Sequence, residues 1–324
     1  MGLAYSYILR TEQAFYLTEN RNFVSWEIAQ EQIPILYDRN LNEADPLHSF
    51  EIFVNPYPVG PENQNGVVIC TLEYTNGQPE GRRPDWHLIP HEWVRVGFNW
   101  ACNNFPILVP ILLNILMRGT TTNQPVTMNA VEALDPLSGL AVSGQVTVSE
   151  CAMQTQNPED VIQKIQALID RYQEVQDINV HQFATTPFAV RFSRPTNAYM
   201  AMQYNRQSMM IISNILVGTP NAANTLQQFR NLMQDQFNGR PHWGMVQDVD
   251  ANNVVKMYPG NGVVDPVAVF TNVMQERDPN GIFRNEFINR VFSLCRIYKI
   301  LVFNRNTIYP WTFFTTHCTL YAEH

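Results

Sequence analysis

Lysine is almost missing from this chain: among 324 residues only Lys164, Lys256 and Lys299 carry an ε-ammonium. Charged residues of all kinds make up 15% of the sequence, well under the usual quarter, and acids outnumber bases to leave a net charge of −8. With no basic run to neutralise phosphates, nucleic-acid binding is excluded and attraction to anionic membrane surfaces is disfavoured. Cys70, Cys102, Cys151, Cys295 and Cys318 are odd in number and scattered, without a Cys-x-x-Cys pair or a Cys-His spacing suited to a metal, so they read as buried free thiols and no metal site is expected. No two glycines are adjacent, and neither a dinucleotide fingerprint nor a P-loop occurs; the nearest glycine cluster is Gly260-Asn-Gly262, in a turn. The N-terminal residues lack a basic stretch followed by an apolar core, so no secretory signal is recognised and a cytoplasmic location is expected.

What is abundant is core-forming material. Hydrophobic residues reach 45%, with 18 Phe, 13 Tyr and 6 Trp, enough for one large globular unit. The most apolar run, Phe105 to Met117, is too short to span a bilayer and is interrupted by Pro106, Pro110 and Asn114. A buried helix starting near Pro110 is its plain reading; an oily rim at a substrate tunnel or a subunit contact in a homo-oligomer are the alternatives.

Patterning predicts an amphipathic helix over 26–36 capped by Ser25, and strands over 49–54 and 66–74, the first ending in a turn at Asn55-Pro-Tyr-Pro58. His91 to Met117 is predicted helical in two pieces divided at 103–106. A strand near 142–152, with Glu150 near its end, leads to Asn157-Pro-Glu-Asp160, a strong helix start. Val161, Ile165, Leu168 and Tyr172 then mark one helical face. Residues 188–192 and 209–215 read as further strands, 225–237 as a second amphipathic helix, and the segments after Asp265-Pro266 and through Phe283 to Phe292 as the last two, with Phe283 turned into the core. The sum is an α+β fold: a large, mostly antiparallel sheet covered on one face by helices, its other face open to a cofactor domain or a ligand. No linker divides the chain into independent domains.

Three motifs sharpen this. Asn238-Gly-Arg-Pro-His-Trp-Gly-Met245 is followed by Arg277-Asp-Pro-Asn-Gly-Ile-Phe-Arg-Asn285, and Thr186-Pro-Phe-Ala-Val-Arg-Phe-Ser-Arg-Pro195 precedes both. Taken in order these resemble the cap, or substrate-binding, domain of FAD-linked oxidases of the vanillyl-alcohol-oxidase superfamily, the sugar-lactone, alditol and cholesterol oxidase types. Phe15 to Trp26 and Phe50 to Pro58 resemble the start of that cap. The resemblance covers most of residues 10–292, so residues 1–295 are assigned to a cap domain and 296–324 to an unplaced, aromatic-rich extension.

The resemblance implies an oxidoreductase of CH–OH groups in a sugar lactone, polyol, sterol or other alcohol. It implies FAD as cofactor, held mainly by a separate or missing FAD-binding domain and not tightly by this chain alone; the expected partners are that FAD-binding chain and a small-molecule alcohol. In a strand reading Phe188-Ala-Val-Arg-Phe-Ser193, residues two apart share a face, so Ala189, Arg191 and Ser193 stand opposite the core-facing Phe188, Val190 and Phe192. The resemblance places that face over the flavin, making Arg191 a candidate for stabilising negative charge on substrate or reduced flavin. His242 and Glu150 are the other catalytic candidates, with Ala189, Ser193, Trp243 and Met245 as substrate contacts and Asn285 beside the cofactor. Family members carry an acid at the position of Ala189 and a lysine at that of Met245. Their replacement fits either a greasier substrate or a catalytically inactive cap-fold binding or assembly protein.

Overall fold

The computed structural model describes residues 13–41, 47–79, 91–121, 124–134, 146–177, 182–245, 247–260, 262 and 264–292. The element order is β1 (Tyr16–Ser25), α1 (Trp26–Leu41), β2 (Leu47–Val59), β3 (Gln64–Thr75), α2 (His91–Asn104), a 3-10 turn (Pro106–Leu108), α3 (Val109–Gly119), β4 (Val126–Asn129) and α4 (Ala130–Ala133). There follow β5 (Val146–Gln154), α5 (Pro158–Val175), β6 (Phe188–Ser193), β7 (Ser208–Leu216), α6 (Ala222–Asn231), a π turn (Leu232–Gln236), β8 (Arg240–Pro241), α7 (Ala251–Met257), α8 (Pro266–Arg277) and α9 (Glu286–Phe292). The strands form one eight-stranded sheet in the order β4-β1-β3-β2-β6-β7-β5-β8, every described pairing antiparallel. The expected α+β architecture is therefore what the chain adopts.

Helices cover one face because their apolar stripes have nowhere else to go. Asn157 caps α5 by accepting from the Asp160 N–H, Pro158 occupies the first turn, and Val161, Ile165, Leu168 and Tyr172 fall on one side, all buried. Tyr172 stacks on Phe188 of β6 and on Phe229 of α6. With Ile52, Val54, Val67, Ile69, Val190, Met209 and Ile211 from the strands and Ala29, Ile33, Val109 and Leu113 from α1 and α3, they make one continuous core. Full burial of each large aliphatic side chain stabilises by roughly 1.5–3 kcal/mol. Cys70, Cys102 and Cys151 are buried free thiols, as expected; Cys295 and Cys318 lie outside the described residues.

Several local expectations are corrected. Strand β2 does not stop at Asn55 but continues to Val59 through a register shift between Val54 and Pro58. Prolines survive there because the irregularity relieves them of ladder duty. The Asn55 side chain accepts from the Tyr57 N–H and donates to the Pro110 carbonyl, while the Tyr57 hydroxyl accepts from the Ala184 N–H. Strand β1 was not foreseen. The second amphipathic helix ends in a wider π turn. Phe283 is 48% exposed and outside the core; Ile288 and Val291 form the buried face of α9 instead. The preceding turn is as expected, with Gly281 at φ 68° and the buried Asp278 carboxylate accepting from the Ile282 and Phe283 N–H groups. The proposed extension 296–324 lies outside the described residues.

Candidate functional site

Strand register assembles the face that the main helical layer does not cover. Directly opposed residues in neighbouring strands point the same way. Glu51 of β2 pairs with Arg191 of β6, which pairs with Met210 of β7, itself opposite Ala152 of β5. In the next row Phe53, Ala189, Ile212 and Glu150 line up across the same four strands. Two strand spacings, about 10 Å, therefore separate the backbones of Glu150 and Ala189. Phe188, Val190 and Phe192 point the other way into the helices, as the alternation predicted; Phe192 stacks on Phe50.

Arg191 is half exposed, and its Nε donates to Glu51 Oε1 at 3.0 Å. One edge of the guanidinium is thus anchored and the other faces outward. At that exposure the pair contributes little to stability, and its effect is orientation. Ser193, the third residue on this face of β6, pairs with Ser208 and directs its hydroxyl to the Arg194 carbonyl.

Glu150 sits in the middle of β5, not near its end, and is only 8% exposed. Burial raises its carboxyl above the ordinary range, while the charges of His242 and Arg191 oppose that rise. The charges of His242 and Arg191 thus both act on Glu150. The β8 strand explains how: Arg240 and Pro241 pair with Ala152 and Cys151, and the His242 N–H donates to the Glu150 carbonyl at 2.9 Å. His242 Nδ1 accepts from the Gly244 N–H at 3.1 Å, which in the neutral ring puts the proton on Nε2.

The rest of the motif holds the fold. Gly239 lies so close to the π turn that an added Cβ would be 2.6 Å from the Met233 carbonyl oxygen. Arg240, buried, donates to the carbonyls of Met257 and Tyr204 and stacks over Tyr258. Arg206, also buried, reaches the carbonyls of Asn238 and Ala152; burial and the charge of Arg240 lower its pKa to about 10. Trp243 turns into a second core cluster and donates from Nε1 to the Met200 carbonyl. Met245 is half-buried at the end of the motif, its N–H on the His242 carbonyl. Asn285 caps α9 through its side-chain oxygen. So Arg191, Glu150, His242 and Ala189 come together on the sheet, whereas Trp243 and Asn285 take structural partners.

Sequence reasoning passed over Glu51, whose role depends on a strand 140 residues away in the chain and emerges only from the register. It also passed over the buried pair of Glu19 and Arg21 at 2.9 Å, at the other end of the same row, where Cys70 stands between Arg21 and Glu51.

This sheet with one helix-covered face and a polar cluster on the other has the architecture of the cholesterol oxidase from B. sterolicum, with a TM-score of 0.58 at 11% identity over 86% of this chain and 60% of that one. A solvent-stable cholesterol oxidase superposes with a TM-score of 0.55, again at 11% identity and with 86% and 60% covered. At that identity the likeness is one of fold. The family described as D-arabinono-1,4-lactone oxidase matches residues 23–291, most of the chain, and the chain belongs to that oxidoreductase family. It is 24% identical over 250 residues to the L-gulono-1,4-lactone dehydrogenase of Mycobacterium tuberculosis, covering 75% of this chain and 51% of that one. With the L-gulonolactone oxidase of Mus musculus it shares 23% over 150 residues, 45% and 30% of the two chains. The chain spans about half the length of the mycobacterial relative, and less of the murine one.

Proposed function

We propose that this chain is the substrate-binding cap of an FAD-dependent oxidoreductase that oxidises CH–OH groups, working with a separate FAD-binding domain. The observation that carries this is the convergence of Arg191, Glu150 and His242 on the sheet face opposite the main helical layer, within the family match. The face suits a flavin ring: apolar Ala189, Ile212 and Met210 flank a guanidinium fit to meet negative charge. Among the described residues no glycine-rich loop offers the run of N–H groups that a pyrophosphate needs. Arg191, and the side-chain N–H groups of Asn285, are therefore the groups that would touch the cofactor, and the second domain holds the remainder.

A bound FAD would supply the hydride acceptor for the substrate carbon. The residues of this chain handle the proton and the charge. Glu150, ionised, accepts the hydroxyl proton, and its raised affinity for protons suits it to that task. Arg191, held by Glu51, stabilises the oxygen as it gains negative charge. His242 Nε2–H orients the substrate oxygen. Alanine at 189 and methionine at 245, in place of the acid and lysine of family members, suit a less polar alcohol than a sugar lactone. The same two residues favour a second reading, an inactive cap retained for binding or assembly.

Tagged chain captured from its native cells should bring down a polypeptide with flavin absorption near 450 nm that reduces an artificial acceptor when given an alcohol. Capture without flavin would overturn the split-enzyme reading, and flavin without turnover on sterols, aromatic alcohols, polyols and 1,4-lactones would favour the inactive cap. FAD added to the chain alone should not bind tightly.

A further inference from the structure

Apart from the site on the sheet, the molecule has a concavity that holds a cation without a carboxylate partner. A cavity of about 390 Å³ lies between the first turn of α1, the β2–β3 turn and α3, and neither Glu150 nor Arg191 lines it. Ile28 and Val59 form apolar parts of its wall, and Ile28 is 45% exposed there. Asn114 and Arg118 reach it from α3; four residues apart, they are neighbours on one face of the helix. The Arg118 guanidinium lies over the Phe23 ring, 4.1 Å from its centroid, which holds it in place, and it makes no ion pair among the described residues. The Asn114 Oδ1 atom is buried without a donor, pressed so closely on Gly66 that a Cβ added there would collide with it and with the Phe23 ring. Its Nδ2, at the other end of the planar amide, is not buried and donates to no described group, so it is the end left for the cavity.

The geometry points to a binding site for a small monocarboxylate with an apolar body, its carboxylate shared between Asn114 Nδ2 and the Arg118 guanidinium and its hydrocarbon laid against Ile28 and Val59. Two donors side by side on one helix face match the two oxygens of a carboxylate, and one of them carries the charge that makes such bonds strong. The first turn of α1, a helix of 16 residues, opens onto the same space and favours the same sign of charge. Glu62 also lines the cavity, has no ion partner among the described residues and repels a second negative charge. Phosphate and dicarboxylates therefore fit poorly, and a single carboxylate fits well. An uncharged ligand would leave the guanidinium without a counter-charge. The hydrocarbon is required because Ile28 stands exposed beside the donors, and covering it removes apolar surface from water. A cavity of this size holds a ligand of several heavy atoms rather than a bare ion.

Titration of the full chain with isocaproate, followed by saturation-transfer NMR of the ligand, tests this. Isocaproate should bind; acetate, which lacks the hydrocarbon, and isocaproamide, which lacks the charge, should each bind at least about tenfold more weakly. Arg118→Gln should weaken isocaproate binding about tenfold or more. Because Arg118 is exposed, the circular dichroism of that variant should match the parent's. Arg191→Gln, which removes the guanidinium of the open sheet face, should bind isocaproate as the parent does. Equal affinity in Arg118→Gln and the parent, an amide that binds as well as the carboxylate, or no binding of isocaproate would overturn the inference. So would inorganic phosphate that binds more tightly than isocaproate, or a loss of binding in Arg191→Gln, which would assign the carboxylate to the sheet face. None of these readouts uses flavin or turnover, so their failure is separable from failure of the cap assignment.

Discussion

Placing the same alanine at two glycines should move stability in opposite directions. At Gly239 an ideal Cβ lies 2.6 Å from the Met233 oxygen and 3.0 Å from its carbonyl carbon, and both are backbone atoms that cannot swing aside. Relief needs a shift of roughly half an ångström or more, and it strains the 2.7 Å hydrogen bond from the Gly239 N–H to that same oxygen. Overpacking costs about 1–3 kcal/mol, and a weakened hydrogen bond adds up to about 1 kcal/mol. Reduced freedom of the unfolded chain returns about 0.4–1 kcal/mol. Gly239→Ala should therefore lose about 1–3 kcal/mol. At Gly97, within α2, nothing lies within 4 Å of the added Cβ, so Gly97→Ala should gain up to about 1 kcal/mol from helix propensity. Urea unfolding followed by far-ultraviolet circular dichroism reads both. Equal shifts in the two variants, or a Gly239→Ala protein as stable as the parent, would refute the close-approach explanation of the motif.

Tyr57→Phe removes the acceptor of the buried Ala184 N–H and should cost about 1–3 kcal/mol in the same assay, although no apolar contact is lost. Arg240→Met leaves the Met257 and Tyr204 carbonyls without their donor, and a loss of about 2–5 kcal/mol is expected in thermal or urea unfolding. Glu150 gives a pH signature. Its folded-state pKa is raised above the unfolded value of about 4.3, so the native state binds the proton more tightly. Stability associated with this group is fully present below that unfolded value and is lost as pH rises through the folded pKa. Glu150→Gln should thus be more stable than the parent at neutral pH, and the gap should close in acid; unfolding midpoints measured across pH check it.

The strands with clean alternation were legible because every second side chain enters one core: Phe188, Val190 and Phe192 in β6 are the clearest case. Helix α5 announced itself through Asn157-Pro158 and a single apolar stripe. Strand β1 stayed hidden because one row of its side chains places Glu19 and Arg21 between Leu17 and Phe23, and their pairing, with Cys70 donating to Glu19, helps make those charges tolerable when buried. Strand β2 was cut short because two prolines argue against a strand, and the register shift that accommodates them is a tertiary feature. At the candidate site, the face of Ala189 and Arg191 followed from spacing alone. The arrival of Glu150 and His242 beside it depended on β5 and β8 pairing across the sheet, and the Glu51 contact on β2 meeting β6. The motif at Arg240 and Trp243 was conspicuous in sequence for another reason: those residues tie loops together by donating to carbonyls.

The central claim is that Arg191 faces the reacting centre while contributing little to the fold. In the flavin-bearing complex captured with this chain, Arg191→Met should lower kcat by about a hundredfold or more, the loss typical of one removed electrostatic stabiliser, with flavin content and melting temperature unchanged. Turnover equal to that of the parent complex would contradict it.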